Sequence, residues 1–432
     1  MITNDNSRKE IAPEEHTEYL RVLSEHTIEG LCAKMGADLL VFPSRLDAHG
    51  EQIGKEHIFR LEDGYMITGN VMGFVGYRGT QVCIRSRFAS DGRDYFLHYM
   101  LQKVFAPHLL KLDTTSDDEQ IFDLLVFMFP HFLNRALQQG LYREYQTRMH
   151  NDANLRGRID INRHIRLNPL FDGRVAYFTR ELEYDNPMTE LVRHTIEYVC
   201  EQSLGNIILS ADAETMDNVA RIRAATGRYQ RVDRRRVIDD NLHPFTHPYF
   251  SGYADLQSVC LRILRREELK YGVCDDTIRG VLFDGAWLWE AYLATVFRKI
   301  GFKHPQNNLR RDGLCLFTDG TGKRYPDFYK ENRVLDAKYK RYEGVKVNAV
   351  GREDLHQLVT YMYMTKACYG GLVVPLQSRE QSTESKKLCG YGGIISLYGL
   401  PVDSSAVSYG EFVHNMEVAE QELLDELQRP EE

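Results

Sequence analysis

Two aspartates and a lysine that could form a catalytic site are concentrated in residues 324–340, RYPDFYKENRVLDAKYK. Asp327 follows a proline, and Asp336 and Lys338 follow a strand-like run that begins after the turn KENR. A hairpin over these residues would place Asp327 and Asp336 on adjacent strands. Because residues two apart in a strand share a face, Asp336 and Lys338 should point the same way. The pattern therefore predicts two carboxylates and an ammonium group in one place.

This set of side chains suits metal-dependent hydrolysis of a phosphodiester bond. Mg²⁺ prefers carboxylate and carbonyl oxygens and keeps several water molecules, and it can polarise a phosphate oxygen and lower the pKa of a water. We therefore expect Mg²⁺, with Mn²⁺ as an alternative, to bind Asp327, Asp336 and the backbone carbonyl of Ala337. The Lys338 ammonium would orient the attacking water and offset charge that develops on the phosphate. Taken alone, the same pattern also fits a charged, solvated hairpin edge.

Three flanking residues favour the catalytic interpretation. Glu290 lies in the apolar segment AWLWEAY of a predicted helix, where a carboxylate requires either a function or a basic partner. We expect it to be catalytic, with an outer-sphere contact to the metal. Gln357 and Tyr361 are four residues apart in the next predicted helix and so share a face. We expect them to brace the lysine or to touch the DNA backbone; the alternative is an exposed glutamine beside a core tyrosine.

The elements that must position these residues form a predicted α/β domain over residues 271–432. Residues 281–301, VLFDGAWLWEAYLATVFRKIG, predict an amphipathic helix, and three strand-like runs follow it. A second helix is predicted at EDLHQLVTYMYMTKA (353–367), and a further strand at YGGLVVP (369–375).

Two other regions are predicted before this domain, since 432 residues exceed the size of one ordinary core. Short alternating runs and glycine turns in residues 1–94 indicate a β-rich module. Residues 95–270 indicate a mainly helical region that binds a partner, from which a strand pair at 155–184 projects. The whole chain is therefore predicted to be a multidomain protein of the α/β and α+β classes. The predicted strand pair carries Arg156, Arg158, Arg163, Arg166 and Arg180.

Composition and missing motifs exclude several classes of protein. No run of eighteen apolar residues occurs and the first residues are polar, so we expect a cytoplasmic protein with no membrane partner. The eight cysteines are scattered singly, which argues against a zinc ribbon, an iron–sulfur cluster and a disulfide framework. The segment GTGKR (320–324) lacks the first glycine and the Ser/Thr of a phosphate-binding loop. We therefore expect this chain to bind no nucleotide itself.

The charge distribution favours a nuclease that depends on a partner for its grip on DNA. The net charge of −8 opposes strong non-specific binding to phosphates. Acidic residues are concentrated near the ends of the chain, whereas residues 323–346 are locally basic.

The ordered set of a helical Glu, P-D, D-x-K and Q-x-x-x-Y resembles the PD-(D/E)xK nuclease superfamily, in the subgroup with the Q-x-x-x-Y element. The resemblance implies a mixed sheet flanked by helices. It also implies that Asp327 and Asp336 are metal ligands, Glu290 the helix acid and Lys338 the active-site lysine. The segments NLRGRIDINRHIRLNP (154–169) and RELEYDNPMTELVRHTIEYV (180–199) are similar to McrC, the cleavage subunit of McrBC-type restriction systems, including LlaJI-like members. The likeness extends over about residues 80–375.

This resemblance implies a DNA endonuclease that docks on a hexameric AAA+ GTPase of the McrB type. Such a subunit stimulates the partner's GTP hydrolysis and cuts double-stranded DNA after translocation, while the partner recognises methylated cytosine. A LlaJI-like system leaves room for site-specific cutting without methylation. Two alternatives stay open: a non-cleaving adaptor that activates the partner, and an autonomous DNA repair nuclease. An arginine of 155–184 acting on the partner and a simple solvated ribbon are both open as well.

Overall fold

The computed structural model packs the chain into two compact units, Met1–Ile121 with Gly272–Glu432, and Phe122–Tyr271. The first unit contains both the predicted β-rich module and the predicted C-terminal domain. The finer boundaries at residues 94 and 270 stay predictions. The structure describes residues 1–12, 18–35, 37–43, 53–78, 80–90, 93–105, 120–170, 172–202, 205–265, 278–305, 312–342, 344–377, 383–390 and 392–429.

The described residues up to Phe105 form short strands and three helices. The strands are Ile2–Asn4 (β1), Arg8–Glu10 (β2), Asp38–Phe42 (β3), Phe59–Glu62 (β4), Tyr65–Thr68 (β5), Val71–Tyr77 (β6) and Thr80–Arg85 (β7), and the helices are Glu18–Glu25 (α1), Ile28–Met35 (α2) and Tyr95–Phe105 (α3). A 3₁₀ turn lies at Ile53–Lys55.

The second unit is built mainly of helices. The elements from residue 120 onward are Gln120–Leu137 (α4), Glu144–Asp152 (β8), Arg158–Ile159 (β9), Ile161–Leu167 (α5), Val175–Glu183 (β10), Pro187–Cys200 (α6), Gly205–Leu209 (α7), Ala213–Ala225 (α8), Arg234–Asp240 (α9) and Gly252–Leu264 (α10). A 3₁₀ turn at Arg231–Asp233 precedes α9.

The C-terminal part of the first unit alternates strands and helices. Its elements are Arg279–Asp284 (β11), Gly285–Phe297 (α11), Leu314–Cys315 (β12), Lys323–Arg324 (β13), Phe328–Lys330 (β14), Arg333–Ala337 (β15), Arg352–Thr365 (α12), Tyr369–Leu376 (β16), Thr383–Lys387 (β17), Ile394–Pro401 (β18) and Tyr409–Gln428 (α13). Further 3₁₀ turns lie at Arg298–Ile300 and Val347–Ala349.

The N-terminal sheet is completed by a strand from far along the chain. Its order is β1-β7-β6-β11-β3, and β11 pairs antiparallel with β6 and parallel with β3. The prediction of a helix from residue 281 is therefore wrong at its start, because residues 279–284 are a strand and the helix begins at Gly285. Asp284 sets this boundary: its Oδ1 accepts hydrogen bonds from the amides of Ala286 at 2.8 Å and Trp287 at 3.1 Å.

A second, antiparallel sheet has the order β2-β5-β4.

The predicted strand pair at 155–184 is only partly correct. Strand β10 pairs along its whole length with β8, which lies before residue 155, and only the two-residue β9 pairs with it from within the predicted range. Residues 161–167 form helix α5 rather than a strand, because the Asp160 side chain caps that helix by accepting the amide of Arg163 at 3.0 Å.

The sheet that carries the candidate site is mixed, with the order β14-β15-β16-β18-β17. Strands β15, β16 and β18 are parallel to one another, and the two edge strands are antiparallel to their neighbours. Helices α11, α12 and α13 pack against this sheet. Its core against α12 includes Val334, Leu358, Met362, Leu372 and Leu397. Strands β17 and β18 and helix α13 follow the last predicted strand and have no counterpart among the predicted elements.

None of the helices in the described segments is both long enough and apolar enough to cross a membrane.

Candidate active site

The predicted hairpin forms and brings the two aspartates together. Strands β14 and β15 pair with Phe328 opposite Leu335 and Lys330 opposite Arg333. Continuing this register by one residue sets Asp327 opposite Asp336. The amide of Ala337 donates a hydrogen bond of 2.6 Å to Oδ2 of Asp327. The backbone of β15 thus fixes the side chain of Asp327 beside Asp336.

Asp336 is buried, with 1% of its surface exposed, and it is poorly satisfied. Nζ of Lys338 lies 2.8 Å from its Oδ2, so the two form an ion pair. Within the described residues, Oδ1 has no hydrogen-bond partner, and Lys338 is the one group that pairs with Oδ2. Burial raises the pKa of the Asp336 carboxyl, and the charge of Lys338 offsets only part of this effect. A buried carboxylate oxygen without a partner, such as this Oδ1, is rare unless it has a function.

Lys338 is held by three polar side chains. Besides Asp336, its Nζ lies 3.2 Å from Oε1 of Gln357 and 3.7 Å from Oδ1 of Asp354. Burial alone would lower the pKa of Lys338, but the negative charges around it, of which Asp336 is the strongest, raise it above its ordinary value. The ammonium therefore stays charged at neutral pH.

Asp327 lies among negative charges. Burial raises the pKa of its carboxyl well above the ordinary value, and the charges of Glu290 and Asp336 raise it further. Glu290 is half-buried on α11, and its Oε1 lies 3.8 Å from Nδ1 of His304. The same nitrogen lies 2.8 Å from the carbonyl oxygen of Asp327. Since a carbonyl can only accept, Nδ1 carries a hydrogen there.

The two residues of the Q-x-x-x-Y pattern act on each other and on the lysine. Gln357 accepts from Lys338 through Oε1, and its Nε2 donates a hydrogen bond of 2.9 Å to the hydroxyl of Tyr361. Tyr361 is 6% exposed and belongs to the core under α12, whereas Gln357 is exposed. The phenol therefore fixes the amide, and the amide in turn contacts the lysine.

Two further residues at this site were not predicted. Asp354 lies between Lys338 and Lys340, and Nζ of Lys340 is 2.6 Å from Oδ2 of Asp354. It precedes Gln357 by three residues on α12, so helical spacing alone could have indicated it. His304 had no such signal, because its position depends on how the segment after α11 folds back along β14, where Lys303 pairs with Tyr329.

The residues present fit a hard divalent cation. Within the described residues, no group of three or more His, Cys, Asp and Glu side chains is arranged to hold a metal ion. Mg²⁺ does not need such a group, since one or two carboxylates suffice when water completes the shell. Asp327 and Asp336 supply two carboxylates, and Oδ1 of Asp336 has no hydrogen-bond partner in the described residues. A cation would also relieve the repulsion between the two carboxylates.

Comparison with known proteins identifies a matching family. A family model described as "McrBC 5-methylcytosine restriction system component" matches residues 66–375. No curated protein sequence matches the chain.

Two solved structures are similar to this chain. A refined half-complex from a tetradecameric assembly of Thermococcus gammatolerans McrB AAA+ hexamers with bound McrC is 14% identical with a TM-score of 0.50, over 98% of this chain and 99% of that chain. The cryo-EM structure of the Thermococcus gammatolerans McrBC complex is 14% identical with a TM-score of 0.34, over 70% of this chain and 89% of that chain. The first likeness concerns the fold alone, and the second is too weak to support an argument.

Proposed function

Because the chain belongs to the family of McrBC 5-methylcytosine restriction system components, we propose that it is the DNA-cleaving subunit of such a system. It would be a Mg²⁺-dependent endonuclease of the PD-(D/E)xK type that docks on a partner AAA+ GTPase, stimulates it, and hydrolyses phosphodiester bonds after translocation. The observation that carries this proposal is the buried Asp336, which lies between Asp327 and the charged Lys338 and whose Oδ1 has no hydrogen-bond partner in the described residues.

Each residue of the site has a role in this proposal. Asp327, Asp336 and the carbonyl of Ala337 would hold Mg²⁺, with Mn²⁺ as a substitute. The ion would polarise a phosphate oxygen and lower the pKa of a water. The Lys338 ammonium lies beside the two carboxylates, where it can stabilise negative charge that develops on the phosphate.

The remaining residues would position this group. Gln357, itself held by Tyr361, fixes the direction of the lysine side chain. Glu290 would act from α11 as the third acid, in outer-sphere contact with the ion. The charge of Glu290 raises the pKa of Asp327, which supports this placement.

The second unit offers a surface on which a partner could dock. The sheet β8-β10-β9, helix α5 and the residues that flank them expose many large apolar side chains, whereas such residues on a monomer are usually scattered singly. They are Tyr145, Met149, Leu155, Ile159, Ile161, Ile165, Leu167, Leu170, Leu182 and Tyr184. We infer that this surface binds the AAA+ partner. An arginine of 155–184 that acts on the partner and a simple solvated ribbon both stay open.

The proposal is tested by Mg²⁺-dependent cleavage of matched methylated and unmethylated plasmids, with this chain alone and with the NTPase encoded beside it, using GTP or ATP. Wild type should cut only with partner, nucleotide and Mg²⁺, and EDTA should stop cutting. Asp336→Asn and Lys338→Ala should each lower the rate by at least about a thousandfold, because neither a neutral amide nor a methyl group replaces the lost charge.

Assembly provides the control for these variants. Both should still bind the partner and stimulate its NTP hydrolysis. Normal cutting by either variant would refute the proposed site. Stimulation without cutting by wild type would favour the adaptor alternative, and cutting by this chain alone would favour an autonomous nuclease. A preference between the plasmids would show whether methylation is required.

A further inference from the structure

A small two-stranded ribbon precedes the candidate site directly. Strands β12 and β13 pair only with each other among the described strands, with Leu314 opposite Arg324 and Cys315 opposite Lys323. The amide of Phe317 donates to the carbonyl of Thr321 at 3.2 Å, which continues the pairing to the tip. The ribbon therefore has a defined conformation, although it belongs to no larger sheet.

The tip of the ribbon is closed by a tight turn. Asp319 accepts hydrogen bonds from the amide of Thr321 at 2.9 Å and from its hydroxyl at 2.6 Å. Gly320 has φ of 82°, a left-handed conformation that favours glycine. These interactions are all made within the tip itself.

The ribbon presents an aromatic ring and two cations to solvent. Phe317 is 57% exposed, and its ring lies over Gly322, where an added Cβ would be 2.9 Å from the ring. Glycine at 322 thus makes room for this ring position. Lys323 and Arg324 are both exposed, and no carboxylate forms an ion pair with either of them in the described residues. An exposed aromatic residue beside two available cations is a common surface for nucleic acid.

The ribbon lies close to the proposed metal ligands along the chain. Arg324 precedes Asp327 by three residues, so their Cα atoms are at most about 10 Å apart. Successive base pairs of duplex DNA are about 3.4 Å apart, so this distance corresponds to about three base pairs. A two-stranded β-ribbon also has the width that the major groove of B-DNA admits.

We propose that the β12–β13 ribbon is a DNA-contacting element that lies in the groove of the duplex beside the scissile phosphate. Lys323 and Arg324 contact backbone phosphates within about three base pairs of the cut. Phe317, at the tip opposite Thr321, packs against base edges farther along the groove, within about seven base pairs of the cut. This inference rests on the proposed nuclease function and adds to it the part of the chain that holds the substrate next to the metal ligands.

Binding of duplex DNA tests the two cations. Affinity is measured over a range of salt concentrations for the full chain with its partner, in the Lys338→Ala background. The double change Lys323→Ala/Arg324→Ala should lower the slope of log affinity against log salt by about 2, since each phosphate contact contributes about 0.9. The matched control is Lys386→Ala/Lys387→Ala, an adjacent pair on β17 at the opposite edge of the mixed sheet. Equal slopes for the two double variants would overturn the proposal.

Photo-crosslinking tests the aromatic tip in the cutting-competent complex. With Phe317→p-benzoylphenylalanine, crosslinks should reach DNA within about seven base pairs of the cleavage position. The same replacement at the exposed Val407 is the control and should give none there. Crosslinks to the partner protein, or to DNA far from the cut, would overturn the ribbon proposal. The nuclease proposal would still stand in that case if the wild-type complex cuts DNA. Failure of wild type to cut any DNA would overturn both.

Discussion

The side chains of the candidate site are arranged at a cost to stability. Asp327 and Asp336 are adjacent, burial raises the pKa of both carboxyls, and Glu290 adds a third negative charge near Asp327. Lys338 compensates only part of this repulsion. Such an arrangement is expected where function rather than stability has selected the residues, because removing one charge would make the fold more stable.

Asp327→Asn should therefore stabilise the metal-free protein. Because the pKa of Asp327 is raised in the folded state, its carboxyl ionises at a lower pH in the unfolded chain than in the folded protein. The free energy of unfolding therefore falls as pH rises from the ordinary pKa of aspartate to the raised value. Asparagine does not ionise, yet its Oδ1 can still accept from the amide of Ala337. In EDTA, the melting temperature of the variant should exceed that of wild type at pH 7 and approach it below pH 4.

Asp172→Asn, at an exposed aspartate of the second unit, is the control and should leave the melting temperature unchanged. A melting temperature of Asp327→Asn below that of wild type at pH 7 would contradict the repulsion inferred at this site.

Helix α12 is the element that holds the lysine. It carries Asp354, Gln357 and Tyr361, which are spaced at three and four residues and so line one face. Two of them contact Lys338, and the third fixes Gln357. Leu358 and Met362 pack the same helix into the core of the mixed sheet. The packing of α12 in the core thereby restricts the position of the Lys338 ammonium group.

Removing the amide should slow cleavage without unfolding the protein. Gln357→Ala should lower kcat by about 10- to 100-fold, the usual effect of losing a residue that orients a metal-site group. Tyr361→Phe should have a smaller effect in the same direction, because it loses only the hydroxyl that fixes Gln357. His356→Ala is the neighbouring exposed control. Unchanged kcat in Gln357→Ala, measured at saturating DNA, would exclude the positioning role.

At the scale of the whole molecule, the N-terminal segment is part of the support of the site. Arg87 is 4% exposed, and its guanidinium donates to Asp5 at 2.9 Å and to the carbonyl of Tyr339 at 3.1 Å. Tyr339 follows Lys338, whose amide donates to the carbonyl of Val373 at 2.9 Å. The strand end that carries the lysine is thus held by residues that are far apart along the chain.

Arg87→Met should destabilise the protein by about 3–5 kcal/mol, because Asp5 is left buried without its partner. The double variant Asp5→Asn/Arg87→Met removes both charges and should recover part of this loss. Urea unfolding measures both, and cleavage should decline in both, since Tyr339 loses its donor in each. A single variant as stable as wild type would contradict the proposed support.

The sequence by itself determined the local features of the candidate site. Alternating residues and the KENR turn predicted the hairpin that pairs Asp327 with Asp336, and helical spacing predicted the shared face of Gln357 and Tyr361. These features depend on residues a few positions apart, whose geometry the backbone period fixes. The match of residues 66–375 to the family also confirmed the resemblance to McrBC-type systems.

Only the tertiary structure decided which distant segments meet. It placed β11 in the N-terminal sheet, where a helix was predicted, because that strand is buried between β6 and β3. It brought His304 to Asp327 and Arg87 to Tyr339, contacts that no sequence period encodes. Long-range pairing depends on how complete buried surfaces fit together, and such a fit is a property of the folded chain rather than of any short stretch of it.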